Sequence, residues 1–206
     1  MLVHILPTGS GNLSSLIGAL GAVGHSCESF SDQLDQKKVR KLIIPGVGSF
    51  AFAMKTLKAR GLLTRLSEYV ESGGHVLGIC LGMQLLAERG LENSDESGFG
   101  FVKGTVKPFR GNSSGEGLDT HVGFNSLKII NSGSPLLKGV DSSDDFYFTH
   151  SYFLPGDSNS HIAATANNGV ELAAVVDRDN QVFGTQFHPE KSQRQGLKIL
   201  KNYVSA

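Results

Sequence analysis

Gly73-Gly74-His75-Val76-Leu77-Gly78-Ile79-Cys80-Leu81-Gly82-Met83-Gln84 is the stretch whose reading decides the fold. A glycine turn enters an apolar run, which ends in Gly-x-Cys-x-Gly. Leu85-Leu86-Ala87-Glu88-Arg89 follows with helical character. An apolar strand that bends straight into a helix at a reactive side chain has the geometry of a nucleophile elbow. The bend strains the backbone at Cys80, and glycine at 78 and 82 removes Cβ atoms that would clash. The sulfur then stands at the carboxyl end of its strand, where open α/β sheets place their ligands. It also stands at a helix N-terminus, whose partial positive charge favours thiolate over thiol. Gln84, four residues on, shares a helical face with Cys80 and reaches whatever the sulfur attacks. A buried structural cysteine in a glycine-rich turn is the plainer alternative, and the elbow alone does not separate the two.

Upstream of this stretch, residues 2–6 read as a buried strand ended by Pro7. The small-residue loop Thr8-Gly9-Ser10-Gly11-Asn12 leads to a helix with Leu13, Leu16, Ile17, Leu20 and Val23 on one face. A short strand near 26–30 and a polar crossover precede Lys41-Leu42-Ile43-Ile44. That run is apolar enough for a parallel strand buried on both faces. Pro45-Gly46-Val47-Gly48 ends it, and helices are expected over 50–57 and 62–70. The rhythm to this point, βαβαβαβα, predicts a doubly wound parallel sheet.

Beyond Gly90 the texture changes. Polar, glycine-rich loops at 93–100 and 111–117 flank a strand-like 101–109. Segments 121–130 and 146–153 alternate or carry aromatics like strands. Residues 170–177 and 181–187 flank the turn Arg178-Asp179-Asn180, a hairpin signal. A helix over 193–204 follows. With no repeat and no long linker, residues 1–206 are expected to form one α/β domain. Its mostly parallel, open twisted sheet is flanked by helices in a flavodoxin-like manner, and extra antiparallel strands of the later half extend that sheet.

Composition narrows the function classes. Lys plus Arg and Asp plus Glu are both 19, so the formal net charge is zero. That balance argues against a nucleic-acid groove or a polybasic membrane patch. Two cysteines are a poor disulfide framework and suit a reducing compartment, so a cytoplasmic protein is expected. The first apolar run is too short for a signal segment, and no span approaches membrane length. No CxxC pair or HxxxH helix supplies a metal site.

A cysteine nucleophile needs a base, an orienter for that base, and donors for an oxyanion. Of the seven histidines, His4 and His75 lie in or at strands, and His25 and His161 flank polar segments. His188 differs. In Phe187-His188-Pro189-Glu190 the His and Glu are two apart on an extended segment, so both leave the same face. Glu190 can accept from one imidazole nitrogen while the other addresses Cys80. Pro189 cannot join a ladder, which marks a strand end opening into a site. For the oxyanion, the elbow places the Leu81 amide. A second donor can come from Val47 and Gly48, where flanking glycines let the peptide rotate.

Taken together, the elbow and the Phe187–Glu190 block resemble the class I (triad) glutamine amidotransferase family. The supporting blocks are Pro45-Gly46-Val47-Gly48-Ser49-Phe50, His121-Val122-Gly123-Phe124-Asn125, Tyr147-Phe148-Thr149-His150-Ser151-Tyr152 and Gly184-Thr185-Gln186 with Lys191-Ser192. They narrow the resemblance to glutaminases that feed a cyclase in histidine biosynthesis. The resemblance implies that Cys80 attacks the carboxamide of glutamine, that His188 shuttles protons, and that Glu190 orients His188. Gln84, Glu92 and the backbone at Ser151 and Tyr152 match positions that hold the substrate. An acidic group suits its α-ammonium and backbone N–H groups its α-carboxylate. No cofactor is implied. The implied partner is a (β/α)₈-barrel cyclase subunit, joined as a heterodimer, which takes the ammonia and makes imidazole glycerol phosphate and the carboxamide ribotide. Asn12, Phe124, Asn125, Tyr147 and Lys191 match positions at or near that interface. In this family the glutaminase is slow until the barrel has bound its ligand, and the 46–48 turn is a place for such a switch.

One departure stands out. Family members commonly carry Pro-His-Met-Gly-Trp-Asn where this chain has Thr120-His121-Val122-Gly123-Phe124-Asn125. Phe124 keeps an aromatic plug without an indole N–H. Three other readings share parts of the pattern. A paralogous glutaminase amidating a nucleotide-linked sugar would keep every catalytic residue. A flavodoxin-like FMN module would use Thr8–Asn12 as a phosphate cradle, although no tryptophan is present to sandwich a flavin. A cysteine peptidase would leave Gln84 and Glu92 without a small amino acid to hold.

Overall fold

The computed structural model describes residues 1–8, 13–30, 38–109, 120–157 and 160–206. Its first half runs β1 (Leu2–Ile5), α1 (Leu13–Ala22), β2 (Ser26–Ser29), β3 (Lys41–Gly46), α2 (Phe50–Ala59), α3 (Leu62–Glu71), β4 (His75–Cys80) and α4 (Leu81–Leu85). Then follow β5 (Ala87–Gly90), β6 (Glu96–Ser97), β7 (Val102–Pro108), β8 (His121–Ser126), β9 (Lys128–Ile129), β10 (Asp145–His150) and β11 (Tyr152–Phe153). The chain continues through β12 (Ile162–Asn167), β13 (Glu171–Arg178), β14 (Val182–Thr185), a 3-10 turn at Pro189–Lys191 and α5 (Gln193–Ser205).

The main sheet has the order β2-β1-β3-β4-β14-β13-β12-β9. Its first five strands are parallel neighbours, an order of 2-1-3-4-5 when counted along the chain, which is the flavodoxin-like arrangement. Alternation along the strands assigns the two faces. Ile43, Leu77 and Ile79 pack with Leu16 and Leu20 of α1 and Ile199, Leu200 and Tyr203 of α5. Leu42, Ile44 and Val76 pack with Phe50, Met54 and Leu57 of α2 and Leu62 and Leu66 of α3. Helices on both faces are why these strands read as unbroken apolar runs. No helix of the described residues is long and apolar enough to cross a membrane.

The hairpin expected around residues 178–180 forms: β13 and β14 are antiparallel, with Arg178 opposite Val182. Asp179 and Asn180 take φ of 59° and 55°, the left-handed turn conformation that short polar side chains tolerate. Other expectations are corrected. The helical reading of 85–89 fails, because α4 stops at Leu85 and β5 begins at Ala87. Backbone N–H groups of Phe99, Val102, Gly100 and Gly98 take the carbonyls of Leu85, Leu86, Ala87 and Glu88. Those carbonyls are therefore filled from another segment, and the helix has no reason to continue.

The later half does more than extend one sheet. Strands β14, β13, β12 and β9 do so, but β8 and β10 form a separate antiparallel ribbon. Strands β11, β7, β5 and β6 form a third sheet. Segments 121–130 and 146–153 thus each divide between two sheets. Ile17 is 48 % exposed rather than part of the buried helix stripe. That stripe runs through Leu16, Ala19 and Leu20, roughly a quarter turn away at 3.6 residues per turn. Gly9–Asn12 and the 111–117 loop lie outside the described residues.

Candidate active site

Cys80 closes β4 with φ 52° and ψ −108°, a sparsely populated conformation for a residue with a side chain. The surrounding glycines explain how the bend is accommodated. A Cβ on Gly82 would lie 1.7 Å from the Ile44 carbonyl oxygen, and one on Gly78 would lie 2.5 Å from the Gly82 backbone. The elbow therefore brings α4 into direct backbone contact with β3 and β4, and only hydrogen fits at those two positions. With five residues α4 is one short turn, so its dipole is small. The charged neighbour of the sulfur comes from elsewhere.

That neighbour is His188. Strand β14 lies beside β4 in parallel register, with Thr185 opposite Ile79, so the chain leaving β14 arrives at the same sheet end as the elbow. The His188 backbone N–H donates to the Tyr147 carbonyl at 2.9 Å. Its Nδ1 meets Glu190 Oε1 at 2.8 Å, and both side chains are almost wholly buried. Nε2 is buried with no conventional hydrogen-bond partner among the described residues. Burial would lower the His188 pKa, but Cys80 and Glu190 together outweigh it and push it up to about 10. An imidazole between a sulfur and a carboxylate favours its charged form in this way.

A cavity of about 370 Å³ opens over the sulfur, lined by Val47, Gly48, Cys80, Leu81, Glu92 and Tyr152 among others. Gly46 is in register with Cys80, so the turn after β3 lies beside the elbow. Gly48 has φ 107°, which a side chain would strain. Gln84 is buried beneath the cavity, its Nε2 donating to the Tyr152 carbonyl at 2.8 Å. Glu92 accepts from the Phe50 N–H at 2.6 Å and so also caps the start of α2. Ser151 lines the same cavity, and its hydroxyl pairs with Thr120 Oγ1 at 2.8 Å.

The residues expected at a partner interface group on the β8–β10 ribbon and the turn after His188. Phe124 is 52 % exposed and meets the Tyr147 ring edge-on at 5.5 Å between centroids. The Lys191 ammonium sits 5.8 Å from the centre of the same ring. Asn125 instead donates its side-chain amide to the Asn167 carbonyl at 2.8 Å, which ties the ribbon to the end of β12. Asn12 lies outside the described residues. Thr8, at the start of the loop read as a possible phosphate cradle, donates its hydroxyl to the Pro45 carbonyl at 3.1 Å.

Sequence reasoning missed three polar residues around the sulfur. Gln186 places Nε2 3.7 Å from Cys80 Sγ. The Thr149 carbonyl lies 3.8 Å from the same sulfur. His150 lines the cavity and pairs with His121 at 3.1 Å. A period-two reading of β10 would have found His150, since Phe146, Phe148 and His150 form its buried face.

Comparison with known proteins places the chain in a family. Residues 5–206 match the family described as "Glutamine amidotransferase class-I". The "Imidazole glycerol phosphate synthase subunit HisH" of Caldanaerobacter subterraneus subsp. tengcongensis is 42 % identical over 203 residues, covering 98 % of this chain and 97 % of the relative. The protein of the same name from Geobacillus kaustophilus is 43 % identical over 206 residues, covering 98 % and 96 %. Among solved structures, one described as PurLQS from Thermotoga maritima superposes with a TM-score of 0.73 at 19 % identity, covering 99 % of this chain and 97 % of that one. A structure described as a glutamine amidotransferase gives 0.71 at 18 % identity, covering 98 % and 97 %. These two speak for the fold alone. The family match and the close relatives span almost every residue, and the chain belongs to the class-I glutamine amidotransferase family.

Proposed function

We propose that this chain is the glutaminase subunit of an imidazole glycerol phosphate synthase, with Cys80, His188 and Glu190 as its triad. The observation that carries the reading is the meeting of two strand ends. Strand β4 delivers a strained cysteine, and the chain leaving β14 delivers an imidazole already oriented by a carboxylate. The names of the full-length relatives support the assignment to that synthase.

In this mechanism His188 Nε2 already holds the proton of the Cys80 thiol, as its raised pKa requires, and the thiolate attacks the side-chain carboxamide carbon of glutamine. The carbonyl oxygen becomes an oxyanion, met by the backbone N–H of Leu81 and by the peptide at Val47 and Gly48. His188 then donates its proton to the departing nitrogen, which leaves as ammonia, and a glutamyl thioester remains on Cys80. Water, deprotonated by His188, attacks the thioester; glutamate leaves and the thiol is restored. Glu190 holds the imidazole in one tautomer throughout. Gln84, Glu92 and the backbone at Ser151 and Tyr152 hold the glutamine substrate.

The ammonia acceptor is a (β/α)₈-barrel cyclase subunit in the cytoplasm. It docks on the surface that carries Phe124, Asn125, Tyr147 and Lys191, with Asn12 at its edge. The test measures glutamate release with and without that barrel and its ribonucleotide ligand. Stimulation by the liganded barrel is expected, together with loss of release in Cys80→Ala that still binds the barrel. A barrel that neither binds nor stimulates would transfer this glutaminase to a different synthase.

A further inference from the structure

The amide of a glutamine side chain has a donor end and an acceptor end, and a fixed carbonyl nearby decides which way it points. Tyr152 C=O is such a carbonyl. The Gln84 amide end 2.8 Å from it must be the NH₂ group. The same nitrogen lies 3.1 Å from the side-chain amide of Gln186, so the Gln186 end facing it must be the oxygen. What remains of Gln186 is its own NH₂, 3.7 Å from Cys80 Sγ. The polarity of this chain of groups is set at Tyr152 and delivered at the sulfur.

A second arm locks the same carbonyl. His150 Nδ1 lies 2.9 Å from Tyr152 C=O and must carry hydrogen there. Its Nε2 then accepts from His121 Nδ1 at 3.1 Å. Burial, with His121 beside it, holds the His150 pKa down to about 3, so this arm stays neutral across ordinary pH. Both lone pairs of the Tyr152 carbonyl are filled, and Gln84 cannot turn over without losing two hydrogen bonds. Gln186 itself is fully buried, with 0 % exposure. Buried amides oriented in this way are rigid and need no reorganisation when charge develops.

We propose that Gln186 is a further catalytic residue: its side-chain N–H donates to the Cys80 sulfur and stabilises the thiolate, in an orientation dictated from Tyr152 through Gln84. The neutral thiol can donate to the Thr149 carbonyl at 3.8 Å while accepting from Gln186. Once the proton has moved to His188, the sulfur can no longer donate to that carbonyl. Gln186 is then the neutral donor on the anion, beside the imidazolium. No other atom is transferred. The role rests on the reading of Cys80 as nucleophile, and the experiment separates the two.

The experiment follows alkylation of the full chain by iodoacetamide against pH, resolved by mass spectrometry at Cys80 and at Cys27. It requires neither glutamine nor a partner. Gln186→Met, of similar size but lacking the donor, is expected to raise the pH midpoint of Cys80 alkylation. Its rate at neutral pH should fall by about tenfold or more, the scale of one hydrogen bond to a charged group, with the Cys27 rate unchanged. Gln186→Glu keeps the volume and loses its donor as the carboxyl ionises, so its Cys80 rate should fall progressively behind the parent's as pH rises. That divergence decides the matter if the Met variant does not fold, because a purely structural defect gives parallel profiles. Parallel profiles in the folded variants would overturn the role of Gln186 while leaving Cys80 in place. A parent Cys80 no more reactive than Cys27 would overturn the nucleophile reading, and this role with it.

Discussion

Cys80, His188 and Glu190 lie within one hydrogen-bonded and electrostatic cluster, and each makes a different demand on it. His188→Asn removes the group proposed to take and return protons, and glutamate release should drop by about a thousandfold or more. Glu190→Gln keeps a hydrogen bond to the imidazole without its charge. A hydrogen bond to a charged group contributes about 1.5–3 kcal/mol and a neutral one about 0.5–1.5, so a smaller loss of roughly tenfold is expected. Equal losses in steady-state glutaminase assays would contradict the division between reacting and orienting groups. Stability carries the same signature. The His188 pKa rises to about 10 in the folded chain, against about 6.5 when unfolded. The folded state therefore binds this proton more tightly, and the stabilisation is complete below about pH 6.5 and disappears as pH rises through about 10. Urea titrations of parent and His188→Asn should converge across that window; a gap that widened with pH would contradict it. The proposed triad could be read from the sequence, because the elbow and the His-Pro-Glu block carry their pattern locally, and the structure brings His188 and Glu190 within hydrogen-bond distance. His150 could have been found from the alternation of β10, whereas Gln186 was hidden, because its place depends on which side chains it meets across the fold.

Among the elements, the β4–α4 junction is the least tolerant. Gly82→Ala would place a Cβ 1.7 Å from the Ile44 carbonyl oxygen, a collision between two backbones with no flexible side chain to yield. A loss of roughly 3 kcal/mol or more is expected in urea denaturation, and a variant within about 1 kcal/mol of the parent would mean that the elbow relaxes freely. The glycine spacing revealed this junction in the sequence. It did not reveal where α4 ends, because Leu85, Leu86 and Ala87 have helical propensity and are overruled by the segment at 98–102, whose N–H groups claim their carbonyls. The split of 146–153 at Ser151 was equally hidden, since β10 and β11 join different sheets through partners far along the chain.

In the whole molecule, the β8–β10 ribbon touches both the expected docking surface and the site. Its outer side presents Phe124 and Tyr147, while its backbone carbonyls at Tyr147 and Thr149 meet the His188 N–H and the Cys80 sulfur. In the proposed complex, a partner pressing on this ribbon would act on both proposed reacting groups. Lys191, held over the Tyr147 ring, belongs to the same surface, and a cation–π contact there is about 0.5–1 kcal/mol. Lys191→Ala should weaken barrel binding or lower its stimulation several-fold while leaving the unstimulated rate near the parent's. Unchanged titration and unchanged stimulation would remove Lys191 from the interface. The parallel half of the sheet was legible from its apolar runs and glycine turns. The ribbon and the third sheet were not, since pairing between distant strands leaves no periodicity to distinguish one sheet from another. The central claim is that glutamine passes through a covalent bond to Cys80. Its most direct test is mass spectrometry of the Cys80 peptide from chain quenched in acid during glutamine turnover with the barrel present. The account predicts a glutamyl adduct on Cys80 that appears with glutamine and vanishes when it is exhausted; an unmodified Cys80 while glutamate accumulates in the Cys80→Ala variant as fast as in the parent would contradict it.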